Sequence, residues 1–163
     1  ARECVAATAV LQQHLPHIKT LRDVTSDELE LLGHHLPDTL RRRATHVVGE
    51  CARVQASASA LRDGDLAALG RLLRQSHLSL RDNYEASAAA LDLLAATAWA
   101  TFGCIGARLG SSGFLQVLVE DEAVPQVVEA LNEVYMGEYG RTPPCLITKF
   151  TAGAGSISVS DML

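Results

Sequence analysis

The sequence of 163 residues has no excess of positive charge and no long hydrophobic run. Its 14 Lys and Arg residues are outnumbered by 19 Asp and Glu residues, and its only lysines are Lys19 and Lys149. The resulting net charge of −5 argues against a nucleic-acid or anionic-membrane partner. No apolar run approaches the roughly 18 residues of a membrane span, and the first residues do not resemble a signal peptide. We therefore expect a cytoplasmic protein with no nucleic-acid partner and no membrane contact.

The cysteines and histidines lack the spacing of a metal site. Cys4, Cys51, Cys104 and Cys145 are far apart, unlike the close pairs of a zinc ribbon or a thioredoxin-type site. Their even number leaves a disulfide framework open, but the usual residence of isolated cysteines in apolar interiors favours free cytosolic thiols. His14 and His17 straddle Pro16, whereas His34 and His35 are adjacent and should point apart. We predict no metal ligand in this chain.

Hydrophobic residues are plentiful, at 48% of the chain, and they follow a helical period through most of it. The pattern predicts helices at 3–15, 25–36, 38–61, 66–80, 88–99 and 122–139. Thr25 and Glu28 have the spacing of a capping box, and Asp38 is the expected N-cap of the longest helix. One face of that helix is apolar and predicted to be buried: Leu40, Ala44, Val47, Val48, Cys51 and Val54. The other face is predicted to be solvated: Arg41, Arg42, Glu50 and Arg53.

After residue 100 the period shifts towards two, which is typical of strands. We predict strands at 104–109, 114–119 and 145–150, and a fourth at 157–159. The pattern indicates an α+β fold with helices packed on one face of a small antiparallel sheet. No internal repeat or low-complexity linker divides the chain, so we predict one domain over 1–163, with a helical part at 1–100 and a sheet-rich part at 101–163.

The glycine-rich segment between the first two predicted strands is the best candidate for a binding site. Its candidate residues are Gly106, Arg108, Gly110, Ser111, Ser112 and Gly113. Backbone N–H groups in such a turn can hold an anion, with an arginine adding positive charge. The alternative is a hairpin turn that needs glycine for its geometry alone. Spacing favours the hairpin turn, because no Walker-type or dinucleotide pattern is present.

A hydroxyl, an imidazole and a carboxylate gather near the end of the fourth predicted helix. Ser76, His77 and Asp82 make a hydrolase triad conceivable, but no nucleophile elbow accompanies them. Helix capping and surface hydrogen bonds are the preferred interpretation. Composition and spacing alone thus indicate an α+β domain and no reaction.

Several longer strings together resemble one family. Residues 20–25 read Thr-Leu-Arg-Asp-Val-Thr, and residues 42–50 read Arg-Arg-Ala-Thr-His-Val-Val-Gly-Glu. Residues 76–87 read Ser-His-Leu-Ser-Leu-Arg-Asp-Asn-Tyr-Glu-Ala-Ser. Residues 106–109 and 113–114 stand where the third signature motif of the GHMP kinase superfamily is expected. In order and interval the chain resembles the C-terminal domain of galactokinases.

This resemblance implies a ferredoxin-like GHMP kinase C-terminal domain and an ATP-dependent sugar 1-kinase. Such an enzyme moves the γ-phosphoryl group of ATP to the anomeric hydroxyl of galactose or a related sugar, with Mg²⁺ neutralising charge. The family's sugar signature, ATP phosphate loop and catalytic Asp and Arg belong to an N-terminal domain, and no string like them occurs here. The resemblance therefore implies no catalytic residue in this chain, no cofactor bound by it alone, and the missing N-terminal domain as its partner.

The third motif departs from the family pattern Gly-x-Arg-Met-Thr-Gly-x-Gly-Phe-Gly-Gly. Gly110 replaces Thr, Ser111 replaces Gly, and Leu115 and Gln116 replace the final glycine pair. Side chains at those positions limit the close approach of a ligand to the backbone. An alternative function is therefore a non-catalytic homologue that acts as a ligand- or partner-binding regulatory domain. A third alternative is self-association through the cleft face that a separated half would expose.

Overall fold

The computed structural model describes residues 2–110 and 112–150, and its helices fall close to the predicted positions. They are α1 (Arg2–Leu11), α2 (Ser26–Leu32), α3 (Asp38–Asp63), α4 (Leu66–Asp82), α5 (Ala89–Ala100) and α6 (Val124–Tyr139). Short 3₁₀ turns at Leu21–Asp23, Gly33–His35 and Asp121–Ala123 complete the helical segments. None of the helices described is both long and apolar enough to cross a membrane.

The predicted N-terminal cap is formed at α2 but not at α3. The Thr25 hydroxyl accepts a hydrogen bond from the Glu28 N–H, and the Glu28 carboxylate accepts one from the Thr25 N–H at 2.8 Å, which confirms the predicted capping box. The predicted N-cap role of Asp38 is wrong. Pro37 occupies that position, and Asp38 is the first helical residue. Its carboxylate lies instead 2.9 Å from the Arg41 guanidinium, one turn along the helix.

One apolar core joins α1, α2 and the first half of α3. Its buried members are Ala7, Leu11, Ile18, Leu21, Val24, Leu29, Leu36, Ala44 and Val48. The predicted burial of Val54 is wrong, because its side chain is 67% exposed. At about 1.5 Å per residue, the 10 residues of α1 span less than half the length of the 26-residue α3. The second half of α3 packs against α4 through a different face.

The sheet is an antiparallel hairpin of β1 (Cys104–Leu109) and β2 (Leu115–Val119). Helices α4 and α5 pack against β1, and α5 also contacts β2 and α6. The Trp99 indole N–H donates to the Ala107 carbonyl oxygen at 3.1 Å, which fixes α5 to β1. A helix-rich chain with a small antiparallel sheet confirms the α+β class.

The predicted strand at 145–150 is not formed. Residues 142–150 adopt neither helix nor strand, and Leu146 and Phe150 are almost fully exposed. An alternating sequence favours a strand only where a neighbouring strand supplies hydrogen-bond partners, and here none pairs with this segment among the described residues. The predicted strand at 157–159 lies outside the residues described.

Candidate functional site

The predicted glycine loop connects β1 to β2 as a hairpin turn. The strands pair with Leu109 opposite Leu115, and the Gly110 N–H donates to the Phe114 carbonyl at 2.9 Å. Gly113 has a φ of 80°, a left-handed conformation that favours glycine, and its N–H donates to the Gly110 carbonyl. The turn therefore uses two of the N–H groups that an anion could have engaged. Ser112 and Gly113 are exposed at its tip, and Ser111 lies outside the described residues.

Gly106 lies in β1 rather than in the turn, and it packs directly on α4. A Cβ at Gly106 would lie 2.9 Å from the Gly70 Cα, and a Cβ at Gly70 would lie 1.8 Å from the Ile105 carbonyl oxygen. Helix and strand thus touch backbone to backbone, which only glycine permits on both sides. The first glycine of the candidate loop positions the hairpin on α4.

Arg108 extends from β1 towards a charged cluster on α3 and α4. Its Nη2 lies 3.8 Å from the Glu50 carboxylate, and its side chain is 34% exposed. Glu50 also accepts hydrogen bonds from Arg53 Nε at 2.5 Å and from the Ser76 hydroxyl at 2.7 Å. Burial alone would raise the pKa of Glu50, but the hydrogen bonds from Arg53 and Ser76 and the nearby positive charge together hold that pKa below its ordinary value. Glu50 is therefore an anionic support beneath Arg108.

This cluster overturns the prediction that Glu50 and Arg53 belong to a solvated face. Their side chains are only 23% and 19% exposed. Their burial depends on Ser76 and Arg108, which are distant in sequence and become neighbours only when α4 and β1 pack on α3. A sequence signal was nevertheless present, since Arg43, His46, Glu50 and Arg53 recur every three or four residues and form a polar stripe along one helix.

A second hydrogen-bonded group continues the stripe. His46 Nδ1 lies 3.1 Å from the Ser79 hydroxyl, and the Asn83 amide donates a hydrogen bond to that hydroxyl at 3.2 Å. The Tyr84 ring packs against the His46 ring at a tilt of 40°, with centroids 4.8 Å apart. Burial lowers the pKa of His46, since it disfavours the charged imidazolium. This part of the interface is held by a neutral imidazole.

Arg43, at the N-terminal end of this stripe, links α3 to α1 and to the loop that follows α4. Its guanidinium donates to Glu3 of α1 at 2.6 Å, to the Asn83 carbonyl at 2.5 Å and to Glu85 at 2.7 Å. Glu85 is a non-glycine residue with a φ of 56°, and it also binds Arg42. Such backbone is unfavourable outside glycine, so these ion pairs hold the loop that follows α4.

His77 lies in the interior, and only 1% of its surface is exposed. Its Nδ1 lies 3.1 Å from the Leu109 N–H, and its Nε2 lies 3.0 Å from Asp92 Oδ1. The Ser87 hydroxyl donates to the same Asp92 oxygen at 2.6 Å. The interpretation as surface hydrogen bonding is therefore wrong for the buried Ser76 and His77, but it holds for Asp82, which is exposed and accepts hydrogen bonds from Arg81. Ser76 donates to Glu50 rather than to His77, so the geometry is not that of a hydrolase triad.

Comparison with known proteins identifies the family. No family model matches the chain. The galactokinase of Roseiflexus sp. (strain RS-1) is 42% identical over 96% of this chain and 41% of its own length. The galactokinase of Chloroflexus aggregans is 43% identical over 93% of this chain and 39% of its own length. The chain is a homologue of the galactokinases.

A mammalian relative and a solved structure support the same family for this galactokinase homologue. The Bos taurus galactokinase is 42% identical over 73% of the chain. The crystal structure of Lactococcus lactis galactokinase complexed with galactose superimposes with a TM-score of 0.78 and 32% identity, over 86% of this chain and 38% of that one. The resemblance inferred from the sequence is confirmed. The chain spans about two fifths of the length of the relatives that it matches.

The histidines outside the hairpin region are closer together than predicted. In the galactokinase homologue the His14 and His35 rings stack with centroids 4.0 Å apart, and the His34 and His35 rings are 3.9 Å apart. The expectation that His34 and His35 point apart is wrong, because their rings are in contact and tilted by 40° to each other. Among residues 2–110 and 112–150, no three His, Cys, Asp or Glu side chains form a group that could hold a metal ion.

A cleft of about 740 Å³ opens where α2 meets α3 and α4. Its lining includes Arg41, Arg53, Gln75 and Asp82, so charges of both signs face it. Arg53 belongs to this lining and also to the cluster beneath Arg108. The candidate loop and the cleft therefore share one supporting arginine.

Proposed function

We propose that this chain is the C-terminal part of a galactokinase-like sugar 1-kinase and that it has no kinase activity alone. In the complete enzyme the γ-phosphoryl group of ATP would pass to the anomeric hydroxyl of galactose or a related sugar. One observation carries the proposal: the similarity covers 96% of this chain but only 41% of the relative's length. The remaining part of such a protein would supply the nucleotide and sugar groups that this sequence lacks. We also propose a cytoplasmic location, consistent with four unpaired cysteines.

Within that enzyme we assign the hairpin loop to the phosphate or substrate site. Arg108 supports this role because its guanidinium lies 3.8 Å from the Glu50 carboxylate while a third of the side chain stays exposed. The Ser112 hydroxyl and the exposed tip around Gly113 can add hydrogen bonds, whereas Gly106 supports the loop from within the sheet. Arginine beside transferred phosphate stabilises developing negative charge. ATP and Mg²⁺ are the expected cofactors of the complete kinase, and we assign no metal ligand to the described residues.

The proposed partner is the N-terminal kinase domain. Phe114 at the tip of the hairpin is 65% exposed, so its ring is available for a contact with a second domain. Self-association of the separated chain is the competing expectation. Sedimentation of the purified chain would distinguish the two, since a monomer that binds the separately expressed N-terminal part supports the proposal.

The alternative of a non-catalytic homologue is favoured by one contact. The Gln116 side chain lies over Gly110, close enough that a Cβ there would be 3.1 Å from its amide carbon. The side chain thus covers backbone that the family's glycine pair would leave bare.

The test is ATP- and galactose-dependent ADP release by the intact protein and by this chain alone. We expect turnover only from the intact protein. There Arg108→Gln should lower kcat/KM by about 10²-fold, as when one charge-stabilising donor is removed. Arg62→Gln, at the far end of α3, is the matched control and should leave kcat/KM unchanged. Turnover by the chain alone contradicts the proposal. Ligand binding to the intact protein without turnover supports the alternative function.

A further inference from the structure

We propose that His77 is a positioning residue that fixes the start of the glycine loop. The functional consequence rests on the proposed role of that loop in phosphoryl transfer. His77 lies on α4 and is buried, and its hydrogen bonds reach Asp92 of α5 and Leu109 of β1. It acts through the backbone of Leu109, the last residue of β1.

Two consecutive N–H groups hold the backbone at the point where the loop begins. The Leu109 N–H donates to His77 Nδ1 at 3.1 Å on the side of α4. The next N–H, that of Gly110, donates to the Phe114 carbonyl at 2.9 Å on the side of β2. In a strand successive N–H groups point to opposite sides, so the chain is held from both directions. The orientation of Arg108, one residue earlier, is set by the same two bonds.

The hydrogen bonds determine which ring nitrogen carries the proton. A backbone N–H can only donate, so His77 Nδ1 must be unprotonated to accept from Leu109. The proton of the neutral ring is therefore on Nε2, which donates to Asp92 Oδ1 at 3.0 Å. The Ser87 hydroxyl donates to the same oxygen and holds Asp92 in place. Asp92 and Ser87 thus select the tautomer that makes His77 an acceptor for the loop.

An apolar side chain of similar size would fill this space but would not replace the imidazole. The Leu109 N–H would then lose its acceptor within the interior, at a cost typical of a buried unpaired donor. The edge of the Trp99 ring, with its centroid 5.4 Å from that of His77, closes another side of the site. A displacement of about 1 Å at a phosphoryl-transfer site can reduce the rate by about 10²-fold. The rate of phosphoryl transfer is therefore expected to depend on the position of the Leu109 backbone.

The two amide substitutions at this position separate the two bonds of the ring. In His77→Asn the side-chain oxygen replaces Nδ1 as an acceptor for Leu109, but the side chain is too short to reach Asp92. In His77→Gln the terminal NH₂ replaces Nε2 as a donor to Asp92, but no acceptor remains near Leu109. Both variants bury one amide, so the pair is matched in polarity.

The first measurement is hydrogen exchange of the Leu109 amide in this chain, followed by NMR. We expect exchange about tenfold faster in His77→Gln, equivalent to the loss of one hydrogen bond, and near wild type in His77→Asn. The amide of Val48, a buried residue within α3, serves as the reporter of global unfolding and corrects for any difference in stability. Equal protection of Leu109 in the two variants overturns the proposal.

The second measurement needs no variant. Nitrogen-15 spectra of the wild-type imidazole should show Nδ1 unprotonated and Nε2 protonated, and a proton on Nδ1 overturns the proposal even where a variant fails to fold. In the intact protein, His77→Gln should lower kcat with KM for the sugar nearly unchanged, and His77→Asn should restore most of it. Absence of turnover in the wild-type intact protein rejects the proposed function. The hydrogen exchange of the Leu109 amide and the tautomer of the His77 ring still decide the role of His77.

Discussion

Helix α3 packs against its neighbours in two different ways. Towards α1 and α2 its buried side chains are mainly apolar, as with Ala44 and Val48, and Arg43 with its bond to Glu3 of α1 is the exception. Towards α4 and β1 they are polar, and Glu50 receives bonds from Arg53 and Ser76. Apolar contacts stabilise in proportion to buried area and are almost independent of pH, whereas the polar contacts depend on direction and charge. The comparison assigns stability to one side of the helix and orientation of the hairpin to the other.

The largest effect is expected in the apolar core. Leu11→Ala should lower the free energy of unfolding by about 3–4 kcal/mol, because a fully buried side chain leaves a cavity. Val5→Ala, in the same helix but 70% exposed, should change it by less than about 0.5 kcal/mol. Denaturant titration at several pH values measures both. A loss that varies strongly with pH for Leu11→Ala would contradict pH-independent apolar packing on this side of α3.

The next effect is expected where α4 and β1 touch. Gly70→Ala should cost about 2–3 kcal/mol, since its Cβ would overlap the Ile105 carbonyl and force the backbones apart. Gly137→Ala is the control, because that helical glycine has nothing within 4 Å of the added atom. It should gain about 0.5–1 kcal/mol from helix propensity. Thermal or denaturant unfolding that shows the same sign for both substitutions contradicts the close contact.

On the polar side, Glu50→Gln should lower the free energy of unfolding by about 1–2 kcal/mol at neutral pH. The pKa of Glu50 is lowered in the folded state, so its contribution is complete above the ordinary carboxyl pKa. It is lost as the pH falls through the lowered value. The difference between wild type and variant should therefore shrink on acidification. Glu133→Gln, on the exposed side of α6, should show no such convergence when unfolding is followed between neutral and acidic pH.

The smallest effect is expected at the edge of the apolar core. Thr25→Ala removes the hydroxyl that caps α2 and should cost about 1 kcal/mol. Ser26→Ala, at the next exposed position, should be neutral within about 0.5 kcal/mol. Denaturant titration of the two variants tests the pair, and equal losses would mean that the cap contributes nothing specific.

Local rules predicted most of the helices and the hairpin, because their information lies within a few residues. The capping box of Thr25 and Glu28 and the strand at Cys104–Leu109 are of this kind. The strand predicted at 145–150 failed since pairing depends on a neighbour that no local pattern supplies. The predicted burial of Val54 was wrong for a related reason, because α1 is too short to cover this part of α3.

The support of the candidate site was the part that sequence reasoning missed. Glu50 and His77 were interpreted as surface residues. Each has a partner from another element that is distant in sequence: Ser76 is 26 positions from Glu50, and Leu109 is 32 positions from His77. A polar side chain is buried only where the fold brings its partner, and that partner is invisible to periodicity. The loop itself was found because glycines and Arg108 identify it locally, whereas its anchoring had to come from tertiary structure.

The contact between Gly70 and Gly106 has a mechanical consequence. Side chains packed between a helix and a strand can change rotamer, and they thereby accommodate small shifts of one element against the other. Here the two backbones touch without that layer, so a tilt of α4 reaches β1 undiminished. A tilt of α4 would therefore carry the hairpin with it, including the exposed Phe114 at its tip.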